Sequence, residues 1–151
     1  MPIRETMITI EGIDKCGKDT VRDLIVKKTE GKVLVMVRTY LSQIVYPRIN
    51  NKKINEIFFI NRLIFDYETG HHHFFVLTAS KEVIKKRCIE HNEKDISIDD
   101  IETHKKHFSD LIEELGIYVK IHVIDTSSDK PEETADKIID IVQKVQRGIL
   151  I

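Results

Sequence analysis

Short apolar runs along the chain alternate with longer stretches in which apolar residues recur every three or four positions. Short apolar runs are typical of β-strands, whereas the longer spacing is typical of amphipathic helices. The pattern predicts strands over 7–11, 33–37, 74–78 and 121–124. The second run, Val-Leu-Val-Met-Val, has no polar alternation, which indicates a strand buried on both faces.

Helical periodicity follows the predicted strands. One helix is predicted over 18–28, and another runs from Ser80 through Arg87. Ser97 begins a Ser-x-x-Asp sequence, a variant of the capping box, which predicts the start of a third helix. Pro131 opens a fourth helix, because proline is favoured in the first helical turn.

The middle of the chain, 47–73, has two interpretations. The apolar spacing within 54–65 fits an amphipathic helix, whereas 62–66 could instead be a short strand; the helix is favoured. Three histidines follow at 71–73. They are predicted to form a polar turn before the next strand, because three consecutive side chains diverge and do not easily share one metal ion.

The alternation of buried strands and amphipathic helices predicts the α/β class. Such a pattern requires a parallel sheet with helices on both faces. We therefore expect one domain over 1–151, a three-layer α/β/α fold with a mostly parallel sheet of four or five strands. No repeat or linker suggests a domain boundary.

Composition narrows the function classes. The 24 Lys and Arg residues nearly balance the 25 Asp and Glu residues, so nothing in the charge predicts a nucleic acid or an anionic membrane as partner. Two cysteines are too few for a disulfide framework, and no apolar run approaches the roughly 18 residues that span a bilayer. A cytoplasmic protein is expected.

The strongest motif is Gly12-x4-Gly17-Lys18, which has the spacing of a Walker A loop. It lies between a predicted strand and a predicted helix, where backbone N–H groups and the helix N-terminus bind phosphate. Lys18 would reach the β- and γ-phosphates of a nucleotide. The motif therefore predicts an ATP site.

The position after the lysine departs from the usual motif. A Ser or Thr hydroxyl normally stands there and reaches Mg²⁺, but this chain has Asp19 followed by Thr20. We expect Thr20 to take the metal role, with Asp19 as a second candidate ligand.

The segment Glu-Gly-Ile-Asp-Lys-Cys-Gly-Lys-Asp-Thr resembles the E-G-x-D-x-x-G-K-S-T loop of thymidylate kinases. In that family the loop acid, here Asp14, contacts the sugar of the acceptor nucleotide. One branch has a basic residue next, here Lys15, which stabilises charge on the transferring phosphoryl group; an ordinary exposed loop lysine is the alternative. The resemblance implies ATP and Mg²⁺ as ligands, with ATP bound by Gly12, Ile13, Asp14, Lys15, Cys16, Gly17, Lys18, Asp19 and Thr20.

The acceptor side allows two alignments with the same family. In the first, Arg38, Ser42 and Tyr46 match a D-R-x-x-x-S-x-x-x-Y segment, with Val37 in place of the acid. In the second, 33–38 is the family's second strand and Arg62 matches the helix arginine that holds the acceptor phosphate. Both alignments place Arg38 near the acceptor, as a catalytic and binding residue. The chain is short for this family between the phosphate loop and the strand at 74–78.

The end of the chain resembles the donor side of these kinases. Arg87 matches an arginine that lies against the donor nucleotide. The segment 89–99 would be the lid, and it contains Lys94 but no arginine, which fits the branch with a basic residue in the phosphate loop. The loop at 124–128 would form the adenine pocket through its backbone.

The leading hypothesis is therefore a nucleotide kinase that transfers the γ-phosphoryl group of ATP to a deoxynucleoside monophosphate, with dTMP as the favoured acceptor. A phosphotransferase that acts on a nucleoside or modified base is one alternative. The other is an ATP-binding module without kinase activity. Small nucleotides are the expected partners, and a homodimer is an expected assembly.

Overall fold

The computed structural model describes residues 6–13, 17–90 and 97–149. Its strands and helices are β1 (Thr6–Gly12), α1 (Lys18–Lys28), β2 (Val33–Val37), α2 (Tyr40–Ile49), α3 (Glu56–Glu68), β3 (His72–Thr78), α4 (Lys81–Glu90), α5 (Ile98–Leu115), β4 (Ile121–Asp125) and α6 (Pro131–Gln146). The predicted strands and helices are confirmed, with bounds that differ by a few residues at some ends.

The four strands form one parallel sheet in the order β2-β1-β3-β4. Ile8 lies opposite Val35 on one side and His73 on the other, and Phe74 lies opposite Ile121. Because the strands are parallel, all four carboxyl ends lie at the same edge of the sheet, which is where ligands bind in open α/β folds.

Helices cover both faces of the sheet. Helix α1 packs against α6, while α2 packs against α3 and α5. The apolar side of α5 faces inward, with Ile101, Phe108, Leu111 and Leu115 all buried. The expected three-layer α/β/α fold with a parallel sheet of four strands is therefore confirmed.

The segment between β2 and β3 contains one helix that was not predicted and one that was. Helix α2 was not predicted, because Pro47 lies inside it and proline removes a helical hydrogen bond. The helix is held instead by a buried face of Leu41, Ile44 and Val45. Within 54–65, the favoured helix is confirmed as α3 rather than a strand.

The predicted polar turn at 71–73 is wrong for two of its three residues. His72 and His73 belong to β3 and are buried, and His71 precedes the strand. His72 fits the interior because its Nε2 lies 2.6 Å from the Thr9 hydroxyl and its ring stacks on Phe74. The hydrogen bond and the ring contact thus offset the free-energy cost of burying a polar side chain.

No helix in the described part of the chain combines the length and apolar character needed to cross a membrane.

Candidate active site

The phosphate loop starts from a position that only glycine fits. Gly12, the last residue of β1, has φ 135°. A Cβ atom there would lie 2.2 Å from the backbone oxygen of Leu77 in β3. The absence of a side chain lets the backbone turn away from the sheet directly beside β3.

Lys18 is folded back into this turn. Its ammonium group donates to the backbone oxygens of Gly12 at 3.1 Å and Ile13 at 2.8 Å, and the residue is only 5% exposed. A buried ammonium group needs such partners, because desolvation of the charge is costly. Lys18 therefore lies at the start of the phosphate loop. Its ammonium group could exchange these two backbone oxygens for the oxygens of a bound phosphate.

The N-terminus of α1 points into the same region. Gly17 caps the helix in the left-handed conformation, with φ 80°. The Val21 N–H donates to the Gly17 oxygen at 3.0 Å. The N–H groups that precede such a bond have no partner within a helix, which is why the first turn of a helix can bind an anion. Asp19 and Thr20 are exposed on this turn. Asp19 forms an ion pair with Arg22 at 3.3 Å.

Three residues predicted for the loop, Asp14, Lys15 and Cys16, lie outside the described residues. The described parts of the predicted ATP site run from Gly12 to Ile13 and from Gly17 to Thr20, and the two hydrogen bonds of Lys18 join them.

Arg38 follows β2 at the same edge of the sheet. Its backbone has φ 62°, which is unusual for a residue other than glycine, and its N–H donates to the Ile10 oxygen at 3.1 Å. Strained backbone of this kind costs free energy and is enriched at functional sites. The strained turn directs the chain from β2 into α2.

Glu11 holds that turn, a role that the sequence pattern does not predict. Its carboxylate accepts hydrogen bonds from the N–H and hydroxyl of Thr39 and from the N–H and hydroxyl of Ser42. Burial raises the pKa of Glu11, and these hydrogen bonds oppose the rise. The available signal was an acid in an otherwise buried strand, since a buried charge requires partners.

An aromatic cluster extends from Arg38. The Arg38 guanidinium lies 5.8 Å from the centre of the Tyr46 ring, and Tyr46 makes edge contacts with His104 at 5.7 Å and Phe108 at 6.4 Å. Burial lowers the pKa of His104. Arg38 and Tyr46, two of the residues that the first alignment matches, are therefore in contact.

A cavity of about 420 Å³ lies beside the start of the phosphate loop. It separates α5 from the sheet, and its walls include Gly12, Ile13, Val76, Phe108 and Ile112. Its volume falls within the range of small-molecule sites, about 300–1,000 Å³.

Arg87 reaches the loop that follows β4. Its guanidinium donates to the Thr126 hydroxyl at 3.1 Å and to the Thr126 backbone oxygen at 2.8 Å. The Thr126 N–H in turn donates to the Thr78 oxygen at 2.7 Å. The predicted donor-side arginine and the predicted adenine loop are therefore in contact. Residues 91–96 of the predicted lid, which include Lys94, lie outside the described residues.

Arg62 belongs to a separate group of contacts. Its guanidinium lies 5.7 Å from the Phe65 ring and interacts with the Tyr40 hydroxyl. That hydroxyl donates to Asp66 at 2.6 Å, and Asp66 lies 3.7 Å from Nδ1 of His72 at the start of β3. These contacts tie Arg62 to α2 and to the amino end of β3, whereas Lys18 contacts the phosphate loop.

The described residues contain no group of three His, Cys, Asp or Glu side chains that could hold a metal ion. A magnesium ion bound mainly by nucleotide phosphates needs only one or two protein ligands. The exposed hydroxyl of Thr20 in the first turn of α1 fits that requirement.

Solved structures provide the comparison with known proteins. The YorR protein of Bacillus subtilis, in complex with phosphorylated GDP, aligns with a TM-score of 0.75 and 22% identity over 94% of this chain and 98% of that chain. Thymidylate kinase from Candida albicans aligns with a TM-score of 0.66 and 14% identity over 95% and 93% of the two chains. Deoxyadenosine kinase from M. mycoides with bound dCTP aligns with a TM-score of 0.57 and 13% identity over 90% and 100%.

No protein-family model and no curated protein matches the chain. The structural likeness extends over nearly the whole length of both partners in each pair, at low identity. The chain therefore has the P-loop kinase fold that these thymidylate and deoxyadenosine kinases share.

Proposed function

We propose that this protein is an ATP-dependent nucleotide kinase that phosphorylates a nucleoside or deoxynucleoside monophosphate, with dTMP as the favoured acceptor. The observation that carries the proposal is the buried Lys18 ammonium group, held 2.8 and 3.1 Å from two phosphate-loop oxygens. A kinase fold and a phosphate loop with a buried lysine together support donor binding.

The donor phosphates would lie in the loop at the N-terminus of α1. Loop amides and Lys18 would balance the charge of the β- and γ-phosphates. Arg87, fixed against Thr126 by two hydrogen bonds, would lie against the adenine base. A planar guanidinium suits this role because it can stack on a ring.

The acceptor would bind near the contact between α2 and α5. We adopt the first alignment, because Arg38 contacts Tyr46 and because Ser42 is bonded to Glu11 next to the loop. Arg38 would hold the phosphate of the acceptor and stabilise the transferring group. The cavity between α5 and β3, which shares Phe108 with the aromatic cluster, is large enough for a base and sugar.

The proposed reaction needs no covalent intermediate with the protein. An ionised oxygen of the acceptor monophosphate would attack the γ-phosphorus of ATP, and the bond from that phosphorus to the β-phosphate oxygen would break. ADP and a nucleoside diphosphate are the products. Lys18, Arg38 and, by resemblance, Lys15 would stabilise the charge on the transferring oxygens, and Asp14 would hold the acceptor sugar.

Magnesium would neutralise part of the negative charge on the phosphates, with Thr20 as its protein ligand and Asp19 as the second candidate. Nucleotides are the proposed partners, and a cytoplasmic location stays a prediction. A different acceptor, or an ATP-binding module without turnover, is an outcome that the following assay can report.

The test is ADP formation from Mg-ATP with a panel of nucleoside monophosphates and nucleosides. ADP formation that depends on one or a few monophosphates, and a matching nucleoside diphosphate among the products, is the expected result. Dependence on a nucleoside would identify another acceptor class. Tight ATP binding without acceptor-dependent turnover would overturn the proposal.

Lys18→Ala is the variant that tests the donor site. It is expected to lower kcat/KM by roughly 10²–10³-fold, because the variant loses a charge that opposes the developing negative charge. Lys27→Ala is the matched control, since Lys27 is an exposed lysine at the other end of α1. Equal activity in the two variants would contradict the assignment of the loop.

Two arginine variants separate the alignments. Arg38→Ala is expected to raise KM for the acceptor and lower kcat, with little change in KM for ATP. Arg62→Ala tests the second alignment, in which Arg62 holds the acceptor phosphate. A larger effect on acceptor KM from Arg62→Ala than from Arg38→Ala would favour that second alignment.

A further inference from the structure

The cavity between α5 and the sheet combines apolar walls with a lysine. Val76, Phe108 and Ile112 form part of the apolar wall, and Lys105 of α5 lines the same cavity. No Asp or Glu occurs among the described residues that line it. A pocket with an apolar interior, a cation and no carboxylate is suited to an organic anion that carries an apolar ring.

The ammonium group of Lys105 has a neutral partner. It donates a hydrogen bond to the backbone oxygen of Ala79 at 3.0 Å. Within the described parts of the chain it has no other hydrogen bond and no ion pair, whereas the next residue, Lys106, pairs with Asp110 at 2.7 Å. An ammonium group has three N–H donors, so two donors of Lys105 are open to a ligand.

The nearby acid is already satisfied. The carboxylate of Asp125, at the end of β4, accepts hydrogen bonds from the N–H and the hydroxyl of Ser127 at 2.8 and 2.6 Å. These hydrogen bonds are the main cause of the lowered pKa of Asp125, and the charge of Lys105 adds a smaller contribution. Asp125 therefore does not take up the open donors of Lys105.

The anchor of Lys105 lies beside the phosphate loop. Ala79 directly follows β3, and β3 runs beside Gly12 at the start of the loop. Gly12 and Ile13, whose backbone oxygens hold the Lys18 ammonium group, line the same cavity as Lys105. A molecule in this cavity is therefore bordered by Lys105 on one element and by the partners of Lys18 on another.

We propose that Lys105 binds the phosphate group of the acceptor and thereby makes the site select a nucleoside monophosphate over the free nucleoside, an inference that rests on the proposed kinase function. One N–H of Lys105 stays on Ala79, while the other two donate to phosphate oxygens. Such charged hydrogen bonds are stronger than the bond to a neutral backbone oxygen. The base of the acceptor lies against the apolar walls.

Arg38 and Lys105 complement each other in this role. The Arg38 guanidinium lies over the Tyr46 ring, Tyr46 contacts Phe108, and Phe108 lines the cavity three residues after Lys105 on α5. The two cations therefore reach the acceptor from α2 and from α5. A phosphate monoester carries about 1.5 to 2 negative charges at pH 7, so one arginine leaves part of its charge unbalanced. Lys105 supplies the second positive charge.

Calorimetric titration of the full chain with dTMP and with thymidine tests the role of Lys105. Lys105→Met removes the charge and keeps an unbranched side chain on the cavity wall. The variant should bind dTMP roughly 10–100-fold more weakly, because the phosphate loses charged hydrogen bonds, and should bind thymidine as the wild type does. KM for dTMP should rise with little change in KM for ATP. If the acceptor panel identifies another monophosphate, that nucleotide and its nucleoside replace this pair.

Two further variants separate charge from structure. Lys81→Met is the matched control, because Lys81 also joins α5 to a neighbouring element, through an ion pair with Glu102 at 3.2 Å, but does not line the cavity. It should bind both probes like wild type. Lys105→Arg restores the positive charge and should recover most of the affinity for dTMP.

The outcomes distinguish this inference from the proposed function. A Lys105→Met variant that keeps the wild-type affinity for the monophosphate, or that loses affinity for the monophosphate and the nucleoside equally, would overturn the role of Lys105 and leave the kinase proposal intact. Wild-type protein that forms no ADP with any monophosphate would overturn the kinase proposal and this inference with it.

Discussion

The hydroxyl of Ser42, near the start of α2, donates a hydrogen bond to the buried carboxylate of Glu11 in β1. Glu11 immediately precedes Gly12, where the phosphate loop begins, and Ser42 lies four residues after Arg38. This contact joins the predicted donor loop to the predicted acceptor arginine. The relative position of the two sites therefore depends on a buried acid that would not itself touch a substrate.

Removal of this hydroxyl should destabilise the fold. Ser42→Ala is expected to lower the free energy of unfolding by about 1–3 kcal/mol, because a buried carboxylate loses one of its donors. Urea unfolding measures the loss. Thr103→Ala, which removes an exposed hydroxyl bonded to its own helix, should change stability far less. Equal losses in the two variants would mean that the Glu11 contact contributes little.

Gly12 should be the least replaceable glycine of the described chain. Gly12→Ala combines φ 135° with a Cβ that would lie 2.2 Å from the Leu77 oxygen, so a loss of more than about 3 kcal/mol is expected. Gly31→Ala is the control, with φ 71° and open space around the Cβ position. It should cost only about 1–2 kcal/mol, which is the strain of the left-handed conformation alone. Thermal and urea unfolding of both variants measure the difference.

The parts of the fold that the sequence predicted best are those in which local and tertiary preferences agree. Val33–Val37 is apolar throughout and becomes a strand with the predicted bounds, although the prediction that both faces are buried is wrong, because Leu34 is 57% exposed. Ser97 caps α5 as predicted, with its side chain accepting from the Asp100 N–H. Each of these segments carries its signal within a few residues, so neighbouring strands and helices are not needed to interpret it.

The parts that were missed depend on distant residues. Pro47 disfavours a helix locally, because it has no N–H to donate, yet α2 forms because its apolar face is buried. His72 is polar, and a hydrogen bond with Thr9, a residue of another strand, offsets the cost of its burial. Glu11 accepts several hydrogen bonds only because the fold places Thr39 and Ser42 beside it. Hydrogen bonds between residues that are far apart in sequence have no periodic pattern to reveal them.

Arg87 should affect the donor and not the acceptor. Arg87→Ala is expected to raise KM for ATP several-fold with little change in KM for the acceptor, because Arg87 is held at the Thr126 loop on the far side of the sheet from Arg38. Arg87→Lys should rescue little, since an ammonium group cannot make both hydrogen bonds in the same plane. Steady-state kinetics with each substrate varied in turn measure the two constants.

An Arg87→Ala variant whose acceptor KM rises as much as its ATP KM would contradict that division of the site. Lys85→Ala, on the same helix, controls for a general effect of lost positive charge on α4.

His73 should make the protein sensitive to mild acid. Burial, the main cause, and the nearby His122, His72 and His71 lower the pKa of His73 from 6.5 to about 4. Below pH 6.5 the unfolded chain therefore binds a proton that the folded chain does not. The contribution of His73 to the free energy of unfolding is fully present above that pH. It is lost as the pH drops toward 4, by about 3 kcal/mol at most. Burial also lowers the pKa of His72 and His122, which adds to the loss in the same direction.

His73→Leu isolates this contribution. In the described structure Nε2 of His73 is buried without a hydrogen-bond partner, so an apolar side chain of similar size sacrifices no bond at that atom. The variant should lose less stability than wild type between pH 6.5 and 4, as measured by urea unfolding at each pH. His71→Leu changes an exposed histidine two residues earlier, which is the smallest of the causes given for the low pKa of His73, so this variant should nearly keep the wild-type slope. If His73→Leu also keeps that slope, the acid sensitivity does not come from His73, and the other buried histidines become its source.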